Sequence, residues 1–116
     1  MRYAIRVADE GIRQMRDALV PGVTDNQLWG LFNSVNIAHG GGWCDGRILC
    51  SDPRTNPWLQ EATSRVVESG DRLAFDTDLL GPLGFCADVS RTWLCGDDSP
   101  DYEVRRLYAA AYTELH

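Results

Sequence analysis

One run of the chain, residues 74–96, constrains the fold most, because it predicts two strands joined by a tight turn. Asp76 and Asp78 lie two positions apart among apolar residues, so in a strand both carboxylates face one side of the sheet. A five-residue loop over residues 81–85, with the sequence Gly-Pro-Leu-Gly at its start, places Asp88 of the returning strand opposite Asp78. We therefore expect an antiparallel hairpin with three carboxylates on one face.

These three carboxylates predict a metal site. Like charges across a strand pair repel one another at neutral pH unless a proton or a cation compensates them. Carboxylate oxygens are the ligands that hard and borderline divalent metals accept. Acidic residues in a hairpin also occur as a solvated face, but such a face usually carries Lys, Thr or Ser, whereas apolar residues crowd Asp76, Asp78 and Asp88.

The string FDTDLLGPLGFCADVSRTW, residues 75–93, resembles the metal hairpin of the creatinase/aminopeptidase superfamily, whose fold is called pita-bread. In the usual hairpin, one Asp precedes the other by a fixed interval. Here the interval from Asp76 to Asp88 is one residue longer than the usual one, and the interval from Asp78 to Asp88 is one residue shorter. This spacing is similar to that of DddP-type dimethylsulfoniopropionate lyases, as are the strings PGVTDNQLW, GGGW and SDPRTNPWLQE upstream.

The resemblance implies that Asp76, Asp78 and Asp88 all ligate a centre of two divalent metal ions, with Asp88 bridging. It suggests iron, although carboxylate ligands equally admit Mn or Zn. Arg91 and Thr92 follow Asp88 closely enough to support it, Thr92 by a hydroxyl hydrogen bond and Arg91 as a nearby positive charge. Alternatively, Arg91 lies on the surface and Thr92 is only a β-branched strand residue.

The segment SDPRTNPW, residues 51–58, contains no histidine. In peptidases and creatinases of the superfamily a substrate-handling histidine lies there, so its absence favours the lyase subgroup. A substrate with a sulfonium cation and a carboxylate needs an aromatic face and a cation or amide donors, which Trp58, Arg54 and Asn56 offer. The alternative is a loop that packs Trp58 under the sheet. Asp52 stands where the subgroup normally has Gly.

We therefore expect a metal-dependent lyase that cleaves dimethylsulfoniopropionate, a small-molecule substrate, to dimethyl sulfide and acrylate. The alternatives are an Xaa-Pro aminopeptidase-like metallohydrolase and a non-catalytic binding module on the same scaffold. A pita-bread domain needs about twice 116 residues, so residues 1–116 are expected to be its N-terminal portion, inactive alone, with the remaining His and Glu ligands and the base elsewhere. As a full-length protein we expect a homodimer.

The pattern predicts an α+β fold in which helices pack on an antiparallel sheet. Helices are expected over residues 2–19, from a capping box at Thr24 and Gln27, and from an N-cap at Ser99. Short strands are expected at residues 47–50 and, from an apolar-polar alternation, at 62–67. By resemblance, this order of elements is that of an incomplete pita-bread fold.

Composition excludes several classes of partner. The formal net charge of −6 argues against nucleic acid and anionic membranes, which bind clustered Lys and Arg. No apolar run is long enough to cross a bilayer. The four cysteines form no CxxC pair and predict buried or half-buried reduced thiols of a cytoplasmic protein.

Overall fold

The computed structural model describes residues 1–96 and 99–116. Within them the chain forms helices and short strands connected by loops. In chain order these are α1 (Arg2–Asp17), α2 (Asp25–Ala38), β1 (Leu49–Ser51), β2 (Arg72–Asp76), β3 (Leu79–Leu80), a 3-10 turn (Pro82–Gly84), β4 (Cys86–Ala87), β5 (Ser90–Leu94) and α3 (Tyr102–Leu115). The predicted α+β class is confirmed, and no helix of the described part could span a membrane.

Helices α1 and α2 pack together and cover one face of the sheet. The predicted capping box of α2 is present: the Thr24 hydroxyl accepts from the Gln27 amide at 3.1 Å, and the Gln27 side chain accepts from the Thr24 amide at 2.9 Å. These bonds satisfy two of the donors that every helix N-terminus leaves unpaired. The helix ends at Ala38 with His39 as its cap.

The main sheet has three antiparallel strands in the order β1-β2-β5, and β3 pairs with β4 in a separate two-stranded ladder. Residues 62–67 do not form the predicted strand; Val66 makes only an isolated bridge to Thr24. The reason is that carbonyls of this segment accept hydrogen bonds from the first amides of α2. The Arg65 carbonyl accepts from the Asp25 amide, and the Thr63 carbonyl accepts from the Asn26 amide. Helix capping therefore takes the place of strand pairing.

Side chains of β2 alternate between two environments. Leu73 and Phe75 are fully buried in the core with Leu28, Phe32 and Met15. The opposite side, which we call the open face, carries Arg72, Ala74 and Asp76 of β2 paired with Leu94, Thr92 and Ser90 of β5. Helices α1 and α2 thus cover one side of the sheet. The open face carries Asp76, and Val104 of α3 lines a cleft there with Arg72 and Leu94.

Helix α3 starts later than predicted. Asp101 caps it, its carboxylate accepting from the Val104 amide at 2.8 Å, so the prediction of Ser99 as the capping residue was wrong. A carboxylate at the cap is favoured by both hydrogen bonding and the helix dipole. No residue of α3 is buried, and its predicted apolar side is exposed at Leu107, Ala110, Ala111 and Leu115.

The cysteines agree with the prediction at three of four positions. Cys44, Cys50 and Cys95 are buried free thiols, but Cys86 is exposed. The difference lies in β4, where Ala87 faces inward and the preceding residue therefore faces out.

Candidate metal centre

The predicted hairpin exists, but its two long strands are interrupted at the acidic residues. β2 ends at Asp76 and β3 begins at Leu79, and between them Thr77 is fully buried. The Thr77 hydroxyl donates to the carbonyl of Ala87 at 2.9 Å and accepts from the amide of Val89 at 2.9 Å. A side chain thus replaces part of the backbone ladder, which a strand pattern alone does not reveal.

This interruption turns the backbone at Asp78, whose φ of 38° lies in the left-handed region that Asp tolerates better than most residues. The hairpin register is nevertheless the predicted one. Asp76 pairs with Ser90 and Leu79 pairs with Ala87, so Asp78 and Asp88 face each other between the two ladders.

The three aspartates converge as predicted. One carboxylate oxygen from each of Asp76, Asp78 and Asp88 lies within 4.8 Å of the others. Asp76 is half-buried, whereas Asp78 and Asp88 are exposed and open to solvent or a ligand. Oxygens at these separations can contact one cation in common, or two adjacent ones.

The electrostatics of the cluster fit a cation. A side-chain hydrogen bond with Asp76 raises the pKa of Asp88. Desolvation and the charges of Asp76 and Asp78 act in the same direction, and a backbone hydrogen bond from Asp78 opposes them. Among residues 1–96 and 99–116, no arginine or histidine forms an ion pair with any of the three. Concentrated negative charge with only oxygen donors suits a hard or borderline divalent metal.

The structure places a different hydroxyl beside the cluster from the one predicted. Ser90 donates to Asp76 at 3.0 Å, whereas no hydrogen bond joins Arg91 or Thr92 to Asp88. Strand register explains this, because Ser90 is the residue paired with Asp76 and the Arg91 guanidinium donates to the Ser90 carbonyl at 2.7 Å. Supporting roles for Arg91 and Thr92 stay predictions.

A cleft of about 430 Å³ lies on the open face beside the cluster. Trp58 lines this cleft with 42% of its surface exposed, and so does Ser90, which donates to Asp76. The other lining residues are Thr55, Arg72, Ala74, Arg91 and Thr92. Trp58 is thus not packed under the sheet, and it presents an aromatic surface to the cleft. Asn56 is exposed on the same loop.

Arg54 does not line this cleft. Its guanidinium donates to the Glu61 carbonyl at 2.9 Å and the Thr63 hydroxyl at 3.2 Å, and lies 3.5 Å from the Asp25 carboxylate. Sequence reasoning missed Asp25, which is fully buried. The sequence could have indicated this burial. Asp25 precedes Leu28 by three residues and Trp29 by four, so all three lie on the same, buried side of α2.

Comparison with known proteins now identifies the family. Residues 1–115 match the metallopeptidase family M24. The chain belongs to this family. M24 is a family of dinuclear metal enzymes, and this chain contains an acidic cluster at Asp76, Asp78 and Asp88.

Two relatives of the chain bear the name of dimethylsulfoniopropionate lyases. The chain is 41% identical to the lyase DddP of Roseobacter denitrificans and 36% identical to that of Roseovarius nubinhibens, in each case over 121 aligned residues. Each alignment includes the whole chain but only 27% of the relative, so the chain spans about a quarter of the length of these relatives.

Solved structures identify the fold. The prolidase from Pyrococcus horikoshii OT3 superposes with a TM-score of 0.83 at 19% identity, covering 92% of this chain and 30% of the prolidase. Such similarity at low identity speaks for the fold alone. The expected pita-bread architecture is confirmed for this part of it.

Proposed function

We propose that this chain is the N-terminal portion of the catalytic domain of a metal-dependent lyase that converts dimethylsulfoniopropionate to dimethyl sulfide and acrylate. The observation that carries the proposal is the cluster of Asp76, Asp78 and Asp88, in the spacing of the lyase subgroup, beside a cleft walled by Trp58. The two lyase relatives, aligned over the whole chain, support the same substrate.

In this proposal Asp76, Asp78 and Asp88 hold two divalent metal ions, with iron the first to test and Mn or Zn as alternatives. The bound metal would supply positive charge that neutralises the substrate carboxylate. Ser90 orients Asp76 by its hydrogen bond, and Thr77 fixes the separation of the two hairpin strands between the acids. Ligand orientation of this kind tunes metal affinity.

The enzyme must bind both ends of the substrate, the sulfonium and the carboxylate. Trp58 offers an aromatic face for the sulfonium. A cation held by Asp76, Asp78 and Asp88 would supply the positive charge that binds the carboxylate. A base outside residues 1–116 takes the proton on the carbon next to the carboxylate. The electrons of that C–H bond form the new double bond, and the C–S bond breaks with its electron pair leaving on sulfur as neutral dimethyl sulfide.

An Xaa-Pro metallopeptidase is the second candidate, favoured by the family and by the likeness to a prolidase structure. It would use the same aspartates. The loop from Ser51 to Trp58 has no histidine to handle the peptide leaving group, which counts against this candidate. A non-catalytic module is disfavoured because all three aspartates are present and converge.

The test is an assay of the full-length enzyme with dimethylsulfoniopropionate and, separately, with Xaa-Pro dipeptides. We expect release of dimethyl sulfide and acrylate, and loss of both in Asp88→Ala, because a methyl group cannot replace a carboxylate that would hold metal. Asp17→Ala is the control, since Asp17 is an exposed α1 residue paired with Arg13. Turnover of the dipeptides without dimethyl sulfide would make the protein a peptidase.

A further inference from the structure

Asp25 is a buried carboxylate that the proposed reaction does not use. It is the first residue of α2 and has no solvent exposure. One carboxylate oxygen accepts from the Ser51 hydroxyl at 2.7 Å. The other has no hydrogen-bond partner and lies 3.5 Å from the guanidinium of Arg54. A buried charge is costly unless it is compensated, so Arg54 matters to this carboxylate.

The surroundings of Asp25 show how its charge is tolerated. Burial raises the pKa of Asp25, while hydrogen bonds from Ser51 and the charges of Arg54 and Arg65 act in the opposite direction. Arg65 donates to Ser51 at 2.8 Å and to Asp71 at 2.6 Å, so it reaches Asp25 only through the serine. Arg54 is therefore the cation that faces the unpaired oxygen directly.

Arg54 belongs to the loop that forms one wall of the cleft. We call residues 52–60 the cleft loop; it contains Trp58, and it is held at one end by Asp52, which accepts from Arg72 at 2.8 Å. Arg54 provides the second attachment, to Asp25 and to the Glu61 carbonyl. Trp58, four residues later in the same loop, lines the cleft.

We propose that Asp25 is a positioning residue: by holding Arg54, it fixes the cleft loop and therefore the place of Trp58 beside the aspartate cluster. That the cleft binds the substrate rests on the proposed function. The attachment of the loop through Arg54 does not depend on which substrate binds there. It also reassigns Arg54, from a direct contact of substrate to the link between a buried carboxylate and the cleft wall.

The experiment compares four forms of the full-length enzyme: wild type, Asp25→Asn, Arg54→Gln and the double variant. Amide hydrogen exchange of residues 54–59 is measured without substrate, and KM and kcat are measured with dimethylsulfoniopropionate. Asp17→Asn is the matched control, because it removes the same charge from an exposed partner of Arg13.

We expect exchange in the cleft loop to rise about tenfold or more in both single variants, because each frees the loop from its buried attachment. KM should rise by a similar factor, while kcat and the metal content stay near those of wild type. The double variant should be no worse than the more affected single variant, since both remove one link. Arg54→Lys should restore part of the lost protection, and Asp17→Asn should change nothing.

Opposite results would overturn the proposal. If Arg54→Gln raises KM but leaves loop exchange unchanged, and Asp25→Asn leaves KM unchanged, Arg54 binds substrate directly and Asp25 positions nothing. If Asp25→Asn does not fold, Arg54→Gln decides by the exchange readout alone. Failure of the proposed function would give a different result. If wild type has no lyase activity but the single variants still show faster loop exchange, the proposed substrate is wrong and the loop attachment stands.

Discussion

Thr77 is the residue that gives the aspartate cluster its shape. Buried between two acids, its side chain bonds the opposite strand at both Ala87 and Val89. These bonds hold the hairpin together where its backbone ladder is interrupted, and Asp78 can then adopt its left-handed φ. The close approach of the three carboxylates thus depends on an uncharged neighbour.

Trp58 is the residue whose removal should separate binding from chemistry. Its ring lines the cleft and is partly exposed, so it can meet a cation without rearrangement of the core. In the full-length enzyme, Trp58→Ala should weaken substrate binding by about 1–2 kcal/mol if the ring faces the sulfonium. The check is a substrate titration beside Trp58→Phe, which should retain much of the affinity. If wild type and the alanine variant bind the substrate equally well, Trp58 does not contact it.

Asp52 should give a pH-dependent contribution to stability. Burial acts to raise the pKa of Asp52, but hydrogen bonds from Arg72 and Thr55 outweigh it, and the pKa is lowered. A lowered pKa in the folded state means that the stabilisation is present above the unfolded-state value of about 3.9. It is lost as the pH falls through the lower folded-state value.

We therefore expect Asp52→Asn to reduce the free energy of unfolding of the full-length protein by about 1–3 kcal/mol at pH 7. The difference from wild type should shrink as the pH falls below about 4. Chemical denaturation at several pH values measures it, with Asp17→Asn as the exposed control. A difference that stays constant down to pH 2 would show that the carboxylate charge is not what stabilises this contact.

At the scale of elements, the packing of α1 on α2 depends on a close approach at Gly11. A Cβ built there would lie 2.7 Å from the ring of Phe32, which is buried in the core. Gly11→Ala should lower the free energy of unfolding by about 1–3 kcal/mol through overpacking, despite the better helix propensity of alanine.

Gly30 provides the matched control within α2, because it is exposed and a Cβ there meets no atom within 4 Å. Gly30→Ala should therefore stabilise the protein by up to about 1 kcal/mol. The same denaturation experiment measures both variants. If Gly11→Ala is as stabilising as Gly30→Ala, the two helices do not pack as closely as described.

Features that depend on residues close together in the sequence could be predicted from it. The capping box at Thr24 and the register that sets Asp78 opposite Asp88 follow from residue types at fixed spacings, and both are present. Elements that depend on distant partners could not. Residues 62–67 cap α2 instead of forming a strand because of where α2 lies, which no alternation within the segment encodes.

At the scale of the whole molecule, charge and burial divide the chain into two sides. The side covered by α1 and α2 holds the apolar core, while the open face carries the acidic cluster and the cleft. The aspartates could be predicted from sequence because their spacing is local. The attachment of Arg54 to Asp25 could not, since it joins residues 29 positions apart through the buried end of a helix.

Asp76, Asp78 and Asp88 are proposed to hold metal, and metal analysis of the full-length protein is the most direct test. After loading with iron, manganese or zinc and removal of excess, wild type should retain about two ions per chain. Asp88→Ala should lose stoichiometric metal while keeping its folded circular dichroism spectrum, and Asp17→Ala should match wild type. Retention of the full metal content by Asp88→Ala would show that Asp88 does not hold metal.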